Sequence, residues 1–304
     1  MSIYLKDFTF PTDEQETKFL WPPSLTPDEV RRCVKRDYRA RNHNKSIYPF
    51  QILSKYNCQK LFFSDITILF GENGCGKSTA LNVMAEKLGL KRETRYNSGR
   101  FFPDYLEMCN YNLKRNQDDN YRMTYHENFE MQVPEGSRII TSDDVFSLIL
   151  KTREYNSEYV QINELLEKEL KNREYESNID RILAEKSIRA ELKKNMLTEK
   201  QEYSNGQKAI DFFINSTENN ALYILDEPEN SLSIDSQIQL SKYIESVSKY
   251  SQFIIATHSP IIAGLANAKI YSFEEYELVN RKWQELEGIK EMYDYFQLRR
   301  QLFR

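Results

Sequence analysis

The chain has 304 residues, of which 40% are hydrophobic and 13% aromatic, so it can bury a core and is not a disordered protein. Its net charge of −4 excludes a globally basic nucleic-acid-binding protein, although a local basic patch remains compatible with this value. No apolar run approaches the roughly 18 residues that span a membrane, and the four cysteines form no CxxC pair. We therefore expect a reduced, cytoplasmic protein without membrane insertion.

The N-terminal part contains a weakly alternating segment and a basic segment. Residues 3–9 alternate between apolar and polar side chains, which predicts an opening strand. Residues 31–45 carry seven Lys or Arg and one Asp, a net charge of +6, with Tyr38 among them. Two interpretations of this segment stay open: it contacts the phosphates of double-stranded DNA, or it is a solvated helix face.

A glycine-rich segment follows a predicted buried strand at 61–70 and precedes a predicted helix at 77–88. It fits the pattern G-x-x-x-x-G-K-[ST], in which backbone N–H groups and a helix N-terminus surround a phosphate. In this pattern Lys77 contacts the β- and γ-phosphates and the Ser78 hydroxyl ligates Mg²⁺. The predicted phosphate-binding residues are Gly71, Glu72, Asn73, Gly74, Cys75, Gly76, Lys77, Ser78 and Thr79.

The middle of the chain, residues 142–200, has leucine and isoleucine at helical spacing. It predicts a hairpin of two helices, each about 30 Å long. A further helix is predicted at 206–215, directly after the sequence YSNGQ. Because a serine and a glycine at a helix start favour anions, residues 204–207 form a second candidate phosphate-binding segment.

Two short apolar strands are predicted at 221–225 and 253–256, separated by a helix at 233–248. Their continuous apolar character is typical of parallel strands that are covered on both faces. Asp226 and Glu227 follow the first strand, where Asp226 would hold Mg²⁺ and Glu227 would be the general base for the attacking water. His258 follows the second strand and is predicted to contact the γ-phosphate.

Taken in order, GENGCGKST, YSNGQ, LDEPENSLS and ATHSP resemble the motifs of ATP-binding-cassette (ABC) ATPases over about residues 61–275. The likeness is to the soluble branch that includes the heads of chromosome-maintenance (SMC) proteins, RecF-like repair proteins and overcoming-lysogenization-defect nucleases, and to small stand-alone predicted ATPases. It implies an α/β P-loop fold with a mixed sheet and a helical lid insertion. It also implies a homodimer that forms on ATP binding, in which Ser204, Gly206 and Gln207 of one chain cap the γ-phosphate bound by the other. Residues 230–233 would form the loop that crosses between the two sites.

The resemblance divides the chain into three parts. Residues 1–141 are the N-terminal half of the ATPase core, residues 142–203 the helical insertion, and residues 204–304 the C-terminal half of the core. In some relatives an N-terminal basic residue reaches the nucleotide phosphates, which is a third interpretation of the basic segment, through Arg39 or Arg41.

The sequence departs from the family pattern at several positions. Tyr203 and Asn205 stand where leucine and glycine are more frequent, and Ser233 stands where transporter ATPases usually have aspartate. The glutamine that couples Mg²⁺ to the lid has weak candidates in Gln117 and Gln132, and neither is preferred.

The resemblance implies an enzyme that converts ATP and water to ADP and phosphate, with ATP and Mg²⁺ bound, and that acts as an ATP-driven dimerisation switch. Its biological setting would be DNA repair or maintenance, or anti-phage defence. One alternative is a nucleotide-dependent regulator of a separate nuclease or toxin partner. Another is the ATPase subunit of a membrane transporter.

Overall fold

A computed structural model of the chain describes residues 3–21, 46–114, 133–151, 205–217, 220–230, 232–274 and 276–303, together with positions 168, 182–183 and 186–187. The basic segment 31–45 and most of the predicted helical hairpin lie outside the described residues. The three-part division of the chain therefore stays a prediction.

The strands that the structure describes are β1 (Leu5–Thr9), β2 (Lys60–Phe62), β3 (Ile66–Phe70), β4 (Asn110–Leu113), β5 (Arg138–Thr141), β6 (Leu222–Asp226), β7 (Gln252–Thr257), β8 (Lys269–Glu274) and β9 (Glu277–Arg281). The described helices are α1 (Asp13–Leu20), α2 (Lys77–Lys87), α3 (Phe102–Met108), α4 (142–151), α5 (Asn205–Ser216), α6 (Ile234–Val247), α7 (Pro260–Ala263) and α8 (Glu287–Leu298). Short 3₁₀ turns cover Ser54–Tyr56, Trp283–Glu285 and Arg300–Phe303.

The larger sheet has six strands in the order β5-β6-β7-β3-β8-β9. Its first five strands run parallel, and β9 pairs antiparallel with β8. A smaller antiparallel sheet has the order β2-β1-β4. The predicted α/β fold with a mixed sheet is therefore confirmed.

Strands β6 and β7 lie inside the larger sheet, and their side chains are buried on both faces. In β6, Leu222 and Ile224 join one core cluster, which includes α2 and the smaller sheet. The alternate residues Tyr223 and Leu225 join a second cluster, which includes residues of α5 and α6. This follows from the two-residue period of a strand, which sends successive side chains to opposite faces. The predicted parallel pairing of the two strands is confirmed.

The single strand predicted at 61–70 is wrong, because the chain turns within it. Residues Lys60–Phe62 pair in the smaller sheet, whereas Ile66–Phe70 pair in the larger one. Ser64 stabilises the turn: its Oγ donates to the carbonyl oxygen of Ile66 at 2.6 Å, and its N–H donates to Thr67 Oγ1 at 3.0 Å. The apolar residues on both sides of this turn are all compatible with strand, and the polar pair Ser64-Asp65 is the local signal that could have marked the break. Among the described helices, none has the length and the apolar run to cross a membrane.

Candidate functional site

The candidate site lies at the carboxyl edge of the larger sheet, where β3, β7 and β6 are adjacent. In the parallel register Phe70 lies beside Thr257, and Asp226 lies beside Ala256. The three loops that follow these strands therefore leave the sheet at the same edge. As a result, the glycine-rich segment, Asp226 at the end of β6, Glu227 after it and His258 after β7 lie at neighbouring positions along this edge.

The glycine-rich segment has the backbone that a phosphate-binding loop requires. Gly74 and Gly76 have φ of +83° and +103°, in the left-handed region that glycine adopts readily. A Cβ on Gly76 would also lie 2.8 Å from Ile52 Cγ2. Gly76 is the N-cap of α2 and has no side chain to cap the first helical turn. The first amides of α2 are therefore available to an anion such as a phosphate.

Lys77 is held over this loop by the loop's own carbonyl groups. Its Nζ donates to the carbonyl oxygens of Gly71 and Glu72, each at 2.8 Å. The residue is buried, so its ammonium group lies within the loop and not in solvent. Cys75 is buried beside it, and burial raises the pKa of the Cys75 thiol above its ordinary value. The thiol therefore stays neutral and fills space under the loop.

Ser78 and Asp226 connect the glycine-rich segment to the end of β6. Ser78 Oγ donates to Asp226 Oδ1 at 2.9 Å. Burial raises the pKa of Asp226 to about 6; the Ser78 hydrogen bond opposes this rise and the nearby Glu227 carboxylate adds to it. A hydroxyl and a carboxylate are hard oxygen ligands, which Mg²⁺ prefers, and Mg²⁺ takes few protein ligands when phosphates supply the others. These two residues therefore fit a Mg²⁺–nucleotide site.

Glu227 has an unusual backbone conformation for a residue with a side chain. Its φ is +48°, in the left-handed region. Its N–H donates to the carbonyl oxygen of Ala256 at 2.9 Å, and its Oε2 accepts from Asn230 Nδ2 at 2.8 Å. Backbone strain of this kind costs about 1–3 kcal/mol and is found most often at functional sites. The two hydrogen bonds hold Glu227 in this conformation at the wall of the cavity described below.

His258 lies between two glutamates. Its Nδ1 is 3.1 Å from Glu229 Oε1 and 3.9 Å from Glu227 Oε1. The His258 side chain is 43% exposed, whereas that of Glu229 is 4% exposed. The structure thus brings the predicted base and the predicted γ-phosphate contact together, and it adds Glu229, which sequence reasoning missed. The second glutamate of LDEPEN was the signal that could have identified it.

A cavity of about 240 Å³ lies against the glycine-rich segment and Glu227. Residues 74–79 form much of its wall. Ile52, Lys55 and Tyr56 form another part of the wall, and none of them was predicted. They belong to a turn that packs against the loop through tertiary contacts only, and no local motif marks them.

The candidate residues near the start of α5 are only partly described. Ser204 lies outside the described residues, and so do Gln117 and Gln132. Gly206 and Gln207 lie in the first turn of α5, in agreement with the predicted helix start. Their roles at a second nucleotide site stay predictions.

Comparison with curated proteins gives no match. Among solved structures, the chain is similar to an SMC head domain with an extended coiled coil from Pyrococcus furiosus, bound to the C-terminal domain of ScpA. The identity is 16%, the alignment covers 77% of this chain and 95% of that chain, and the TM-score is 0.39. A dimeric ATP-binding cassette in a post-hydrolysis state, bound to ADP and Pi, aligns at 16% identity over 74% of this chain and 88% of that chain, with a TM-score of 0.34.

Two family models match the chain. The model of the AAA ATPase domain matches residues 206–263, from the start of α5 to the end of α7. The model described as ABC transporter matches residues 60–230, more than half of the chain, from β2 through the glycine-rich segment to the turn after β6. The chain therefore belongs to the ABC family of ATPases.

Proposed function

We propose that this chain binds ATP with Mg²⁺ and hydrolyses it, and that ATP binding joins two chains as a conformational switch. The observation that carries the proposal is the hydrogen bond between Ser78 and Asp226, which connects the glycine-rich segment to the end of β6. Glu227 follows Asp226 directly and lines the same cavity as residues 74–79. The candidate phosphate-binding segment, the two candidate Mg²⁺ ligands and the candidate base are thereby adjacent.

The phosphates of ATP would bind over the first turn of α2. The loop N–H groups and the Lys77 ammonium would contact them, with Lys77 exchanging its carbonyl partners for phosphate oxygens. Ser78 Oγ and a carboxylate oxygen of Asp226 would hold Mg²⁺, which neutralises charge on the phosphates. The separation of 2.9 Å between these two oxygens allows both to reach one cation.

Glu227 would accept the proton of the attacking water. Asn230 donates to its Oε2, which orients the carboxylate and leaves Oε1 for the water. His258 would contact the γ-phosphate from the neighbouring loop. Because Glu227 and His258 follow adjacent strands, both are supported by the rigid sheet.

The dimer would place Ser204, Gly206 and Gln207 of one chain at the γ-phosphate of the other. The loop 230–233 would cross between the sites, and it leads directly into α6 through the Ser233 N-cap. The support for this dimer is the match to the ABC family model.

The wider role that we propose is in DNA transactions or genome defence, with DNA bound through residues 31–45. The support is the charge of +6 in this segment, within a chain of overall negative charge. Phosphate contacts by these residues would make DNA affinity fall steeply with salt. An ATPase that is indifferent to DNA would instead favour regulation of a protein partner such as a nuclease or toxin.

The test compares the parent protein with Glu227→Gln and with the control Glu245→Gln, a carboxylate near the far end of α6. We expect Glu227→Gln to bind ATP, to lose turnover by about 10²–10⁴-fold and to accumulate as an ATP-bound dimer. ATPase rate, ATP affinity and oligomeric state are measured together, with and without double-stranded DNA. Turnover of Glu227→Gln at the parent rate would contradict the role of Glu227. A parent protein that does not bind ATP would contradict the proposed function itself.

A further inference from the structure

We propose that Glu229 is a positioning residue that fixes the ring of His258 for contact with the γ-phosphate. This inference rests on the proposed function, because it concerns the same site. It assigns to the second glutamate after β6 a role that differs from that of Glu227. Glu227 would act on water, whereas Glu229 would act only through His258.

The backbone after β7 folds around one oxygen of Glu229. Oε1 accepts from Thr257 Oγ1 at 2.6 Å, from the His258 N–H at 2.8 Å and from the Ser259 N–H at 3.1 Å. Glu229 is buried, so these charge-assisted hydrogen bonds form away from water, where they are strong. The carboxylate therefore fixes the position of His258 through the main chain.

The same oxygen also lies beside the imidazole ring. His258 Nδ1 is 3.1 Å from Glu229 Oε1, and a carboxylate can only accept a hydrogen bond. The proposed pairing therefore assigns the hydrogen to Nδ1, which leaves Nε2 at the other side of the ring for a ligand. When both nitrogens carry hydrogen, the ring can donate to Glu229 and to a phosphate oxygen at once.

The pairing selects one of two available glutamates. Glu227 Oε1 is 3.9 Å from the same nitrogen, and that carboxylate is already held by Asn230. Among the described residues, His258 is the only Lys, Arg or His side chain with a nitrogen within 4.0 Å of Glu229. A buried carboxylate is costly without hydrogen-bond donors, and here the donors come from residues 257–259. The pairing of His258 with Glu229 leaves Glu227 free to act on water.

The hydrogen bonds of Glu229 converge on one oxygen. Thr257, His258 and Ser259 all donate to Oε1, and these residues end β7 and begin the loop that presents His258. Glu229 therefore holds this loop at the point from which the imidazole ring projects.

The first test is the tautomer of His258, measured by ¹⁵N NMR of the ring nitrogens. The chain has three histidines, and His258→Ala assigns the signal. At alkaline pH, where the ring is neutral, we expect the hydrogen on Nδ1 in the parent protein. The Nε2–H form in the parent would overturn the proposal. This measurement needs no ATP, so it tests the contact even if the protein proves not to be an ATPase.

The second test is a double-mutant cycle on ATP hydrolysis with Glu229→Gln, His258→Ala and the combined variant. Glu229→Gln keeps an oxygen that accepts the backbone N–H groups and removes the charge. We expect it to lower kcat by about 10-fold or more with KM changed by less than about 3-fold, and to have no further effect in the His258→Ala background. Equal effects in both backgrounds would overturn the positioning role. Glu245→Gln, which also removes a carboxylate bonded to a backbone N–H, is the matched control.

Discussion

The substitution Asp226→Asn separates the stability of this site from its function. Asp226 is a partly buried carboxyl group whose Oδ1 accepts from Ser78. Burial raises its pKa from the ordinary value of 3.8 to about 6. The ionised form is therefore less favourable in the folded chain than in the unfolded one. Asparagine has nearly the same shape, keeps an oxygen for Ser78 and removes the charge.

The expected change in the free energy of unfolding follows from the difference between the pKa of Asp226 in the folded and in the unfolded chain. A shift of about two units corresponds to about 3 kcal/mol at 1.36 kcal/mol per unit, and partial exposure makes this an upper limit. The folded state binds more protons than the unfolded state between the two pKa values, so this cost is full above about pH 6 and absent below about pH 4. Without nucleotide or Mg²⁺, Asp226→Asn should raise the free energy of unfolding at pH 7.5 by about 1–3 kcal/mol, and much less at pH 4.

The assay is urea unfolding of the parent and Asp226→Asn at both pH values, with Asp294→Asn on the exposed face of α8 as the control. The control should change the free energy of unfolding by less than about 0.5 kcal/mol. With Mg²⁺ and ATP at about 100 times the dissociation constant, the parent should gain about 2.7 kcal/mol and the variant less. If Asp226→Asn is less stable than the parent at pH 7.5 without ligands, the reasoning from burial is refuted.

Two further substitutions test the backbone and the connection between the sheets. Gly76→Ala places a side chain at positive φ and against Ile52. It should lower the free energy of unfolding, measured with urea, by about 1–3 kcal/mol, and it should weaken ATP binding, measured by titration. Gly89→Ala, also at positive φ but with open space around it, should lower the free energy of unfolding by less than Gly76→Ala does and should leave ATP binding unchanged. Gln252→Ala should lower the free energy of unfolding by about 2–4 kcal/mol, because this buried side chain forms hydrogen bonds with backbone groups of residues 4, 5 and 64. These hydrogen bonds connect the two sheets. The exposed Gln239→Ala should change stability by less than about 0.5 kcal/mol, and equal losses in the two glutamine variants would contradict the role of Gln252.

The glycine-rich segment and the residues after β6 and β7 could be found from sequence because their signals are local. The positive φ values of the loop require glycine, and the helix that follows begins where the lysine stands. The two apolar strands are buried on both faces, and a continuous apolar run is what such burial requires. Asp226, Glu227 and His258 were identified by their positions directly after these strands.

Other features depend on the order and packing of the strands, which local patterns do not encode. Strand β7 lies between β3 and β6 in space but follows both in sequence, and this order places His258 beside Glu227. The turn at Ser64 divides one predicted strand between two sheets, and only the pairing of each half with its partner strand decides this division.

The sequence by itself therefore identified the candidate site: which loop has the phosphate-binding pattern, which residues are suited to Mg²⁺, and which carboxylate follows them. Only the tertiary structure decided how Ile52, Lys55 and Tyr56 complete the cavity and why His258 faces Glu229. The physical reason is the distance along the sequence between the residues that determine each feature. A loop conformation is set by the residues within it, whereas the cavity wall and the Glu229–His258 pair depend on segments that are far apart in sequence and meet only in the folded chain.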